Sequence, residues 1–202
     1  MRKNNGRKNN ILQDVPPIVW MLLAMLILFS ITADNFLSVQ NFMNILRQSV
    51  PLLILAIGQT MIVLTGGTDL SLGAQVSFTT VMWILMAQAG INIYVAAVLA
   101  VVFPIVIGIG NGLLVSKGKV PPFIASYGMQ NIVNSIALTV TLGSSIYFSH
   151  DVFRTVYESE IIMIPTPIWI AVIVFIISWI LLKKTKFGTN VYGLGGNAEA
   201  LS

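Results

Sequence analysis

Asp69 is the only acidic residue in the strongly apolar part of the chain, and it lies in the glycine-rich run TGGTDLSLG at residues 65–73. A carboxylate is costly in hydrocarbon, so an acid in such surroundings usually faces protein, water or a transport path. Two adjacent glycines also interrupt a membrane helix, which is tolerated only where protein or a water-filled cavity covers the exposed backbone. The run therefore predicts a polar break between two apolar segments.

The polar groups around this break could form transient hydrogen bonds with a polar solute that crosses the membrane. The candidates for such a translocation path are Gln59, Thr65, Gly66, Gly67, Thr68, Asp69 and Ser71. The alternative is structural: Thr68 or Asp69 would cap the following helix, where a carboxylate meets unpaired N–H groups and the positive end of the helix dipole. Both interpretations stay open at the level of sequence.

Two asparagines, Asn131 and Asn134, are further path candidates because residues three apart share one face of a helix. They could line a polar path or form hydrogen bonds with a neighbouring helix. Neither a catalytic site nor a metal site is expected, since the chain has no Cys and only one His, His150. These counts exclude thiolate chemistry and a multi-histidine metal site.

The composition indicates that a lipid bilayer is the natural solvent of this chain. Of its 202 residues, 56% are hydrophobic and only 9% are charged, and the mean hydropathy is +0.87. Soluble domains carry about 25% charged residues. The net charge of +4 comes from basic clusters at segment ends, which is a topology signal and gives no reason to expect a nucleic-acid partner.

Apolar segments of roughly 20 residues are long enough to cross a bilayer as helices. Six candidates follow from the sequence: 15–33, 50–65, 70–89, 91–115, 121–142 and 165–182. The first is interpreted as a retained helix rather than a cleaved signal peptide. The prediction is an all-α polytopic membrane protein with about six transmembrane helices and a Gly-rich break between the second and third.

The basic residues agree on one orientation. Six crossings place the N-terminal cluster at residues 2–8, the pair Lys117 and Lys119, and the cluster at 183–186 all on the cytoplasmic side. Residues 34–49 and 143–164 then form the outer loops. Segment 50–89 could be two spans or a re-entrant hairpin. Both begin and end on the same side of the membrane, so the positions of the basic residues do not distinguish them.

Three ordered motifs resemble those of one transporter family. The run GQTMIVLTGGTDLSLG at 58–73 resembles the signature G-x-T-x-V-I-x-T-G-G-I-D-L-S-V-G of ribose-type ABC importer permeases. The run VPPFIASYGM at 120–129 resembles their P-P-F-I-A-T-L-G-M segment, and GLGGNAEALS at 193–202 resembles the start of G-G-N-x-x-A-A-x-x-S-G-I. The chain departs from the pattern at Thr68 and Leu201, and it resembles only the first six helices of such a permease.

The resemblance implies a function and a set of partners. Such a permease imports a monosaccharide, ribose-like or related, through the prokaryotic inner (cytoplasmic) membrane, with its N-terminus in the cytoplasm. Its partners are a second permease subunit, identical or different, a cytoplasmic ABC ATPase and an extracytoplasmic sugar-binding protein. ATP and Mg belong to the partner ATPase, and this sequence contains no G-x-x-x-x-G-K-[ST] phosphate loop.

The same resemblance implies a domain plan and two contact surfaces. Residues 1–14 form a basic cytoplasmic N-terminus, 15–182 an incomplete transmembrane permease domain, and 183–202 a truncated cytoplasmic coupling segment. ATPase-coupling candidates are Gly195, Gly196, Asn197 and Glu199, with 195–197 expected to turn the chain into a short docking helix unless they form an ordinary loop and cap. Candidates for docking the binding protein, unless they form only a solvated loop, are Asp151, Arg154, Glu158 and Glu160.

Three rival interpretations remain beside an importer permease. The chain could be a truncated, inactive remnant, because half of a permease leaves helix-packing faces open to lipid. A secondary transporter would need paired internal repeats, which the six segments do not display. A membrane enzyme such as an intramembrane aspartyl protease would need a second acid, and no partner for Asp69 lies in an apolar segment.

Overall fold

The computed structural model describes residues 15–196, which form eight helices and one two-stranded sheet. The helices are α1 (Pro17–Thr32), α2 (Val39–Leu64), α3 (Leu72–Gln88), α4 (Ile93–Ser116), α5 (Pro122–Val140), α6 (Asp151–Glu158), α7 (Thr166–Lys184) and α8 (Lys186–Gly196). The strands β1 (Glu160–Ile161) and β2 (Ile164–Pro165) pair antiparallel, with Glu160 opposite Pro165. Each of the six predicted segments contains a helix, and the break between the second and third is present, so the all-α polytopic fold is confirmed.

Three described helices, α2, α4 and α7, are both long and apolar enough to cross a membrane. The helix α1 is also apolar but has 16 residues. Their apolar side chains point mostly outward: Ile31 is 79% exposed and Val98 is 71% exposed. Helices that are apolar on all sides and not buried in protein fit a hydrocarbon solvent rather than water.

The second helix begins earlier than the sequence predicts. The segment 50–65 and an outer loop over 34–49 are expected, but α2 already begins at Val39, so the loop prediction is wrong for 39–49. Ser38 starts the helix because its hydroxyl accepts the N–H of Asn41 at 3.1 Å. Hydropathy misses this first part because residues 40–48 include several amides and an arginine, and Pro51 lies inside the helix rather than at its start.

The chain divides into two compact units at residues 47 and 48, within α2. The first contains α1 and the beginning of α2. The second contains the rest of the chain, and its core lies between α3, α4 and α5, with Ala74, Phe78, Val133 and Ala137 buried together. Phe78 and Phe103 make an edge-to-face contact with ring centroids 5.4 Å apart, and small buried residues let the helices approach closely.

Candidate functional site

The break after α2 is a helix C-terminus closed by glycine. The N–H of Gly67 donates to the carbonyl of Ile62 at 3.3 Å, and the N–H of Gly66 donates to Val63 at 2.9 Å. This pair of bonds, with Gly66 in the left-handed region at φ 80°, is the Schellman arrangement that satisfies the last carbonyls of a helix. The two glycines therefore end α2 cleanly and turn the chain toward α3.

Replacing Gly66 by alanine is expected to destabilise the protein by about 1–2 kcal/mol, the cost of holding an L-residue in the left-handed region. No atom obstructs a Cβ there, so the effect is purely one of backbone conformation. The measurement is the thermal unfolding midpoint in detergent. Gly73→Ala, at an open position in α3, is the matched control and is expected to stabilise slightly; equal midpoints for the two variants would contradict the assignment.

Asp69 is the end of a buried hydrogen-bond network that joins the break to α3 and α4. Its Oδ1 accepts the N–H of Ser71 at 2.7 Å and the Ser71 hydroxyl at 2.5 Å. The same hydroxyl accepts from the amide of Gln75 at 2.8 Å and from the amide of Asn111 at 3.0 Å. Ser71 is completely buried, so its hydroxyl uses one donor and two acceptor positions without water.

This network bears on the two predicted roles of Asp69. The helix α3 begins at Leu72, and Ser71 precedes it without a side-chain cap of its own. The carboxylate accepts the N–H and the hydroxyl of Ser71, the residue directly before α3, and so ties the break to the start of that helix. This contact supports a structural role, and the cap itself stays a prediction. Thr68 contributes its carbonyl, which lies 3.4 Å from the hydroxyl of Ser126 at the start of α5. Whether the break also contacts a solute stays a prediction.

The sequence did not single out Gln75 or Asn111, although both are more than nine-tenths buried. The signal that could have identified them is a polar amide inside an apolar helix. Within the described residues, Asn111 Oδ1 and Gln59 Oε1 are buried without a hydrogen-bond partner. Thr65 donates only to Ile62 in the last turn of its own helix, at 2.7 Å.

The contacts of the break define one end of the second unit. Ser71 contacts Asn111 near the end of α4, and Thr68 contacts Ser126 at the start of α5, so the break lies at the end that carries Lys117 and Lys119. This end is called the basic end. From there α3 runs antiparallel to α4, and Trp83 Nε1 reaches the carbonyl of Ile93 at 2.9 Å. The helix α3 therefore runs alongside α4, which is long enough to span, and the choice between two crossings and a re-entrant hairpin stays a prediction.

A polar cavity of about 680 Å³ lies between α3, α5 and residues 141–146, away from the basic end. Six of its lining residues carry uncharged polar side chains: Ser77, Thr80, Asn134, Thr141, Ser144 and Ser145. Of the two predicted asparagines, only Asn134 lines it. The amide of Asn131 instead donates to the carbonyl of Tyr127 in its own helix at 2.8 Å, so the predicted bond to a neighbouring helix is absent there.

The segment after α7 is a helix that contacts the break. The helix α7 extends to Lys184, and α8 runs from Lys186 to Gly196, the last described residue. Gly195 and Gly196 therefore lie in a helix that begins at Lys186, and whether 195–197 turn the chain stays a prediction. A Cβ on Gly195 would overlap the carbonyl oxygen of Leu64, whereas one on Gly196 would meet nothing. The other two coupling candidates, Asn197 and Glu199, lie outside the described residues.

The charged candidates for docking the binding protein lie on a short helix and strand at the end opposite the basic end. Asp151, Arg154 and Glu158 belong to α6 and Glu160 to β1. Arg154 Nε donates to Glu158 at 2.9 Å, and this bond and the charge of Glu158 raise the pKa of Arg154. Both side chains are largely exposed, so the pair adds little to stability.

One aromatic contact and one histidine hydrogen bond hold α6 in position. Phe153 packs edge-to-face on Trp83 of α3, with ring centroids 4.7 Å apart. His150 Nδ1 accepts the N–H of Val152 at 3.2 Å and caps α6, a structural role that the sequence did not indicate. No group of three potential metal ligands occurs within residues 15–196.

Residues 41–202 match the family described as "Branched-chain amino acid transport system / permease component". The chain belongs to this permease family. The predicted resemblance to sugar permeases is confirmed by similar proteins. The permease is 33% identical to the ribose import permease protein RbsC of Escherichia coli strain K12, over 89% of this chain and 58% of that protein. With the Bacillus subtilis protein of the same name the identity is 33%, over 95% and 60% of the two chains.

A further relative is the D-allose transport system permease protein AlsC of Escherichia coli strain K12, with 31% identity over 85% of this permease and 53% of that protein. The permease chain therefore spans between half and two thirds of the length of the curated relatives that it matches. No solved structure matches it. The family and the apolar helices together make it a multi-pass membrane protein.

Proposed function

We propose that this chain is part of the membrane-spanning permease subunit of an ABC importer that brings a monosaccharide, ribose-like or related, into a prokaryotic cell. The observation that carries the proposal is its similarity to permeases named for sugars, among them ribose and D-allose, over 85–95% of the chain. A separate ATPase would hold ATP and Mg. An extracytoplasmic binding protein would deliver the sugar, and a second permease subunit would complete the membrane domain.

The basic end suits the cytoplasmic side. It carries Lys117 and Lys119, and α8 follows the lysines that finish α7, in agreement with the positive-inside rule. The ATPase would then contact α8 and the residues after it, which include the coupling candidates Gly195, Gly196, Asn197 and Glu199. The N-terminus is proposed to be cytoplasmic as well, because the basic cluster at residues 2–8 follows the same rule.

The opposite end suits the binding protein. The helix α6 presents Asp151, Arg154 and Glu158 at a surface held by Phe153 on Trp83. A fixed, charged helix is a better docking surface than a mobile loop because little ordering free energy is lost on binding. Between the two ends, the cavity at Asn134 and the break at Asp69 are the polar features available to a sugar route.

Uptake of radiolabelled monosaccharides tests this function in cells that carry the native gene with its ATPase and binding-protein genes. Deleting the permease gene is expected to abolish uptake of one sugar among ribose, allose and galactose, and a plasmid copy is expected to restore it. Replacing the phosphate-loop lysine of the ATPase should abolish uptake equally.

The controls separate the rival interpretations. Uptake that survives loss of both the ATPase and the binding protein would indicate a secondary transporter. Unchanged uptake of every sugar after deletion of the permease gene would contradict the proposed function and support an inactive remnant.

A further inference from the structure

The cavity between α3 and α5 is lined only by uncharged residues. Its six polar residues offer hydroxyl groups and one carboxamide, and the other five lining residues are aliphatic. None of them is charged. Within the described residues, the amide of Asn134 and the hydroxyl of Ser77 have no hydrogen-bond partner, which leaves donors and acceptors for a ligand.

The positions of these groups follow from the two helices. Ser77 and Thr80 lie three residues apart on α3, Asn134 and Leu138 lie four residues apart on α5, and Thr141 directly follows the end of α5. Residues 144–146 line the groove at the end opposite the basic end. The polar groups therefore begin near the middle of both helices and continue to that end, which gives an elongated site rather than a single point contact.

The size and polarity of the cavity fit a small uncharged polyol. A volume of about 680 Å³ lies within the range of small-molecule sites, roughly 300–1,000 Å³. Hydroxyls and an amide exchange hydrogen bonds with sugar hydroxyls, and the aliphatic residues contact the sugar's C–H faces. A zwitterionic amino acid would lose hydration of two charges here without gaining a counter-charge, which is strongly unfavourable.

We propose that this cavity is the outer part of the translocation route, and that its uncharged lining, in which Asn134 supplies the one carboxamide, favours a neutral monosaccharide over an amino acid. The inference rests on the proposed function and assigns its route to particular residues. It distinguishes Asn134 from Asn131, which has the same side chain on the same helix but bonds to its own backbone.

Single-cysteine labelling tests whether the cavity is open. Residues 1–202 contain no Cys, and any Cys elsewhere in the native protein is first replaced by serine. In membranes from cells that express the native gene, Ser77→Cys and Asn134→Cys are expected to react with a charged, membrane-impermeant thiosulfonate at least about tenfold faster than Ile132→Cys. Ser145→Cys, an exposed residue of the cavity lining outside the helices, is the positive control. Labelling of Ser145→Cys without labelling at 77 and 134 would mean that protein fills the cavity and would overturn the proposal.

Uptake then tests the role of the amide. Asn134→Leu is expected to lower sugar uptake roughly three- to tenfold, as for loss of one hydrogen bond to the solute, at an unchanged amount of protein in the membrane. Asn131→Leu should leave uptake unchanged, and equal effects of the two variants would overturn the assignment. The labelling experiment tests the cavity without any need for transport. Uptake of an amino acid instead of a sugar would therefore refute the proposed substrate class even if labelling shows that the cavity is open.

Discussion

Replacing Ser71 by alanine is expected to destabilise the protein by roughly 2–5 kcal/mol, although the change removes a single oxygen atom. The buried hydroxyl binds Asp69, Gln75 and Asn111, and its removal leaves two amide donors without an acceptor. Each buried unsatisfied group costs about 1–3 kcal/mol. The measurement is the thermal unfolding midpoint of the purified protein in detergent.

Ser135→Ala is the matched control for this prediction. Ser135 lies on the exposed side of α5, so loss of its hydroxyl should change stability by no more than about 0.5 kcal/mol. Should Ser71→Ala unfold at the same temperature as Ser135→Ala, the network would have no energetic importance. Asp69→Asn would then also be expected to leave the thermal unfolding midpoint unchanged.

Replacing Gly195 by alanine is expected to lower sugar uptake by more than about tenfold, whereas Gly196→Ala should leave it nearly unchanged. An added Cβ at Gly195 would overlap the carbonyl oxygen of Leu64 and lie 3.1 Å from its carbon. The overlap involves backbone on both sides, so one helix must move, at a typical cost of about 1–3 kcal/mol. Displacement of α8 would misplace the surface proposed to face the ATPase.

The readouts for this pair are initial uptake rate and the amount of permease in the membrane, measured in the same cells. Gly196 has the same residue type and helix, and a Cβ there meets no atom within 4 Å. Equal uptake by the two variants would show that the contact with Leu64 is irrelevant to transport. Loss of the protein itself in Gly195→Ala would assign the contact to assembly rather than to coupling.

Much of this fold could be predicted because hydropathy and glycine are local signals. The six apolar segments and the break at Gly66 follow from them directly. The start of α2 could not, because residues 40–48 are too polar for a hydropathy window and the helix depends on the cap at Ser38. A helix was expected only after 195–197, whereas α8 already begins at Lys186; its sequence includes four glycines, which have a low helix propensity.

The candidate site was predicted less completely. The sequence pointed to Asp69 but not to Asn111, which reaches Ser71 across 40 residues of chain; such a contact exists only after α3 and α4 pack together. Asn131 and Asn134 are equivalent by spacing, yet only one faces the cavity. Packing against the neighbouring helices determines which side of α5 faces the cavity, and the largely apolar sequence of α5 does not predict that side.

The helix α3 has a mechanical consequence for transport. Its start is tied to the basic end through Ser71, and roughly two turns later Ser77 and Thr80 form one wall of the cavity. An α-helix rises 1.5 Å per residue, so about 14 Å separates Ser71 from Thr80 along the axis. With no glycine or proline between Gly73 and Gly90, the helix acts as a stiff lever. If the cavity is the proposed route, we expect a tilt of α3 to change the width of that route.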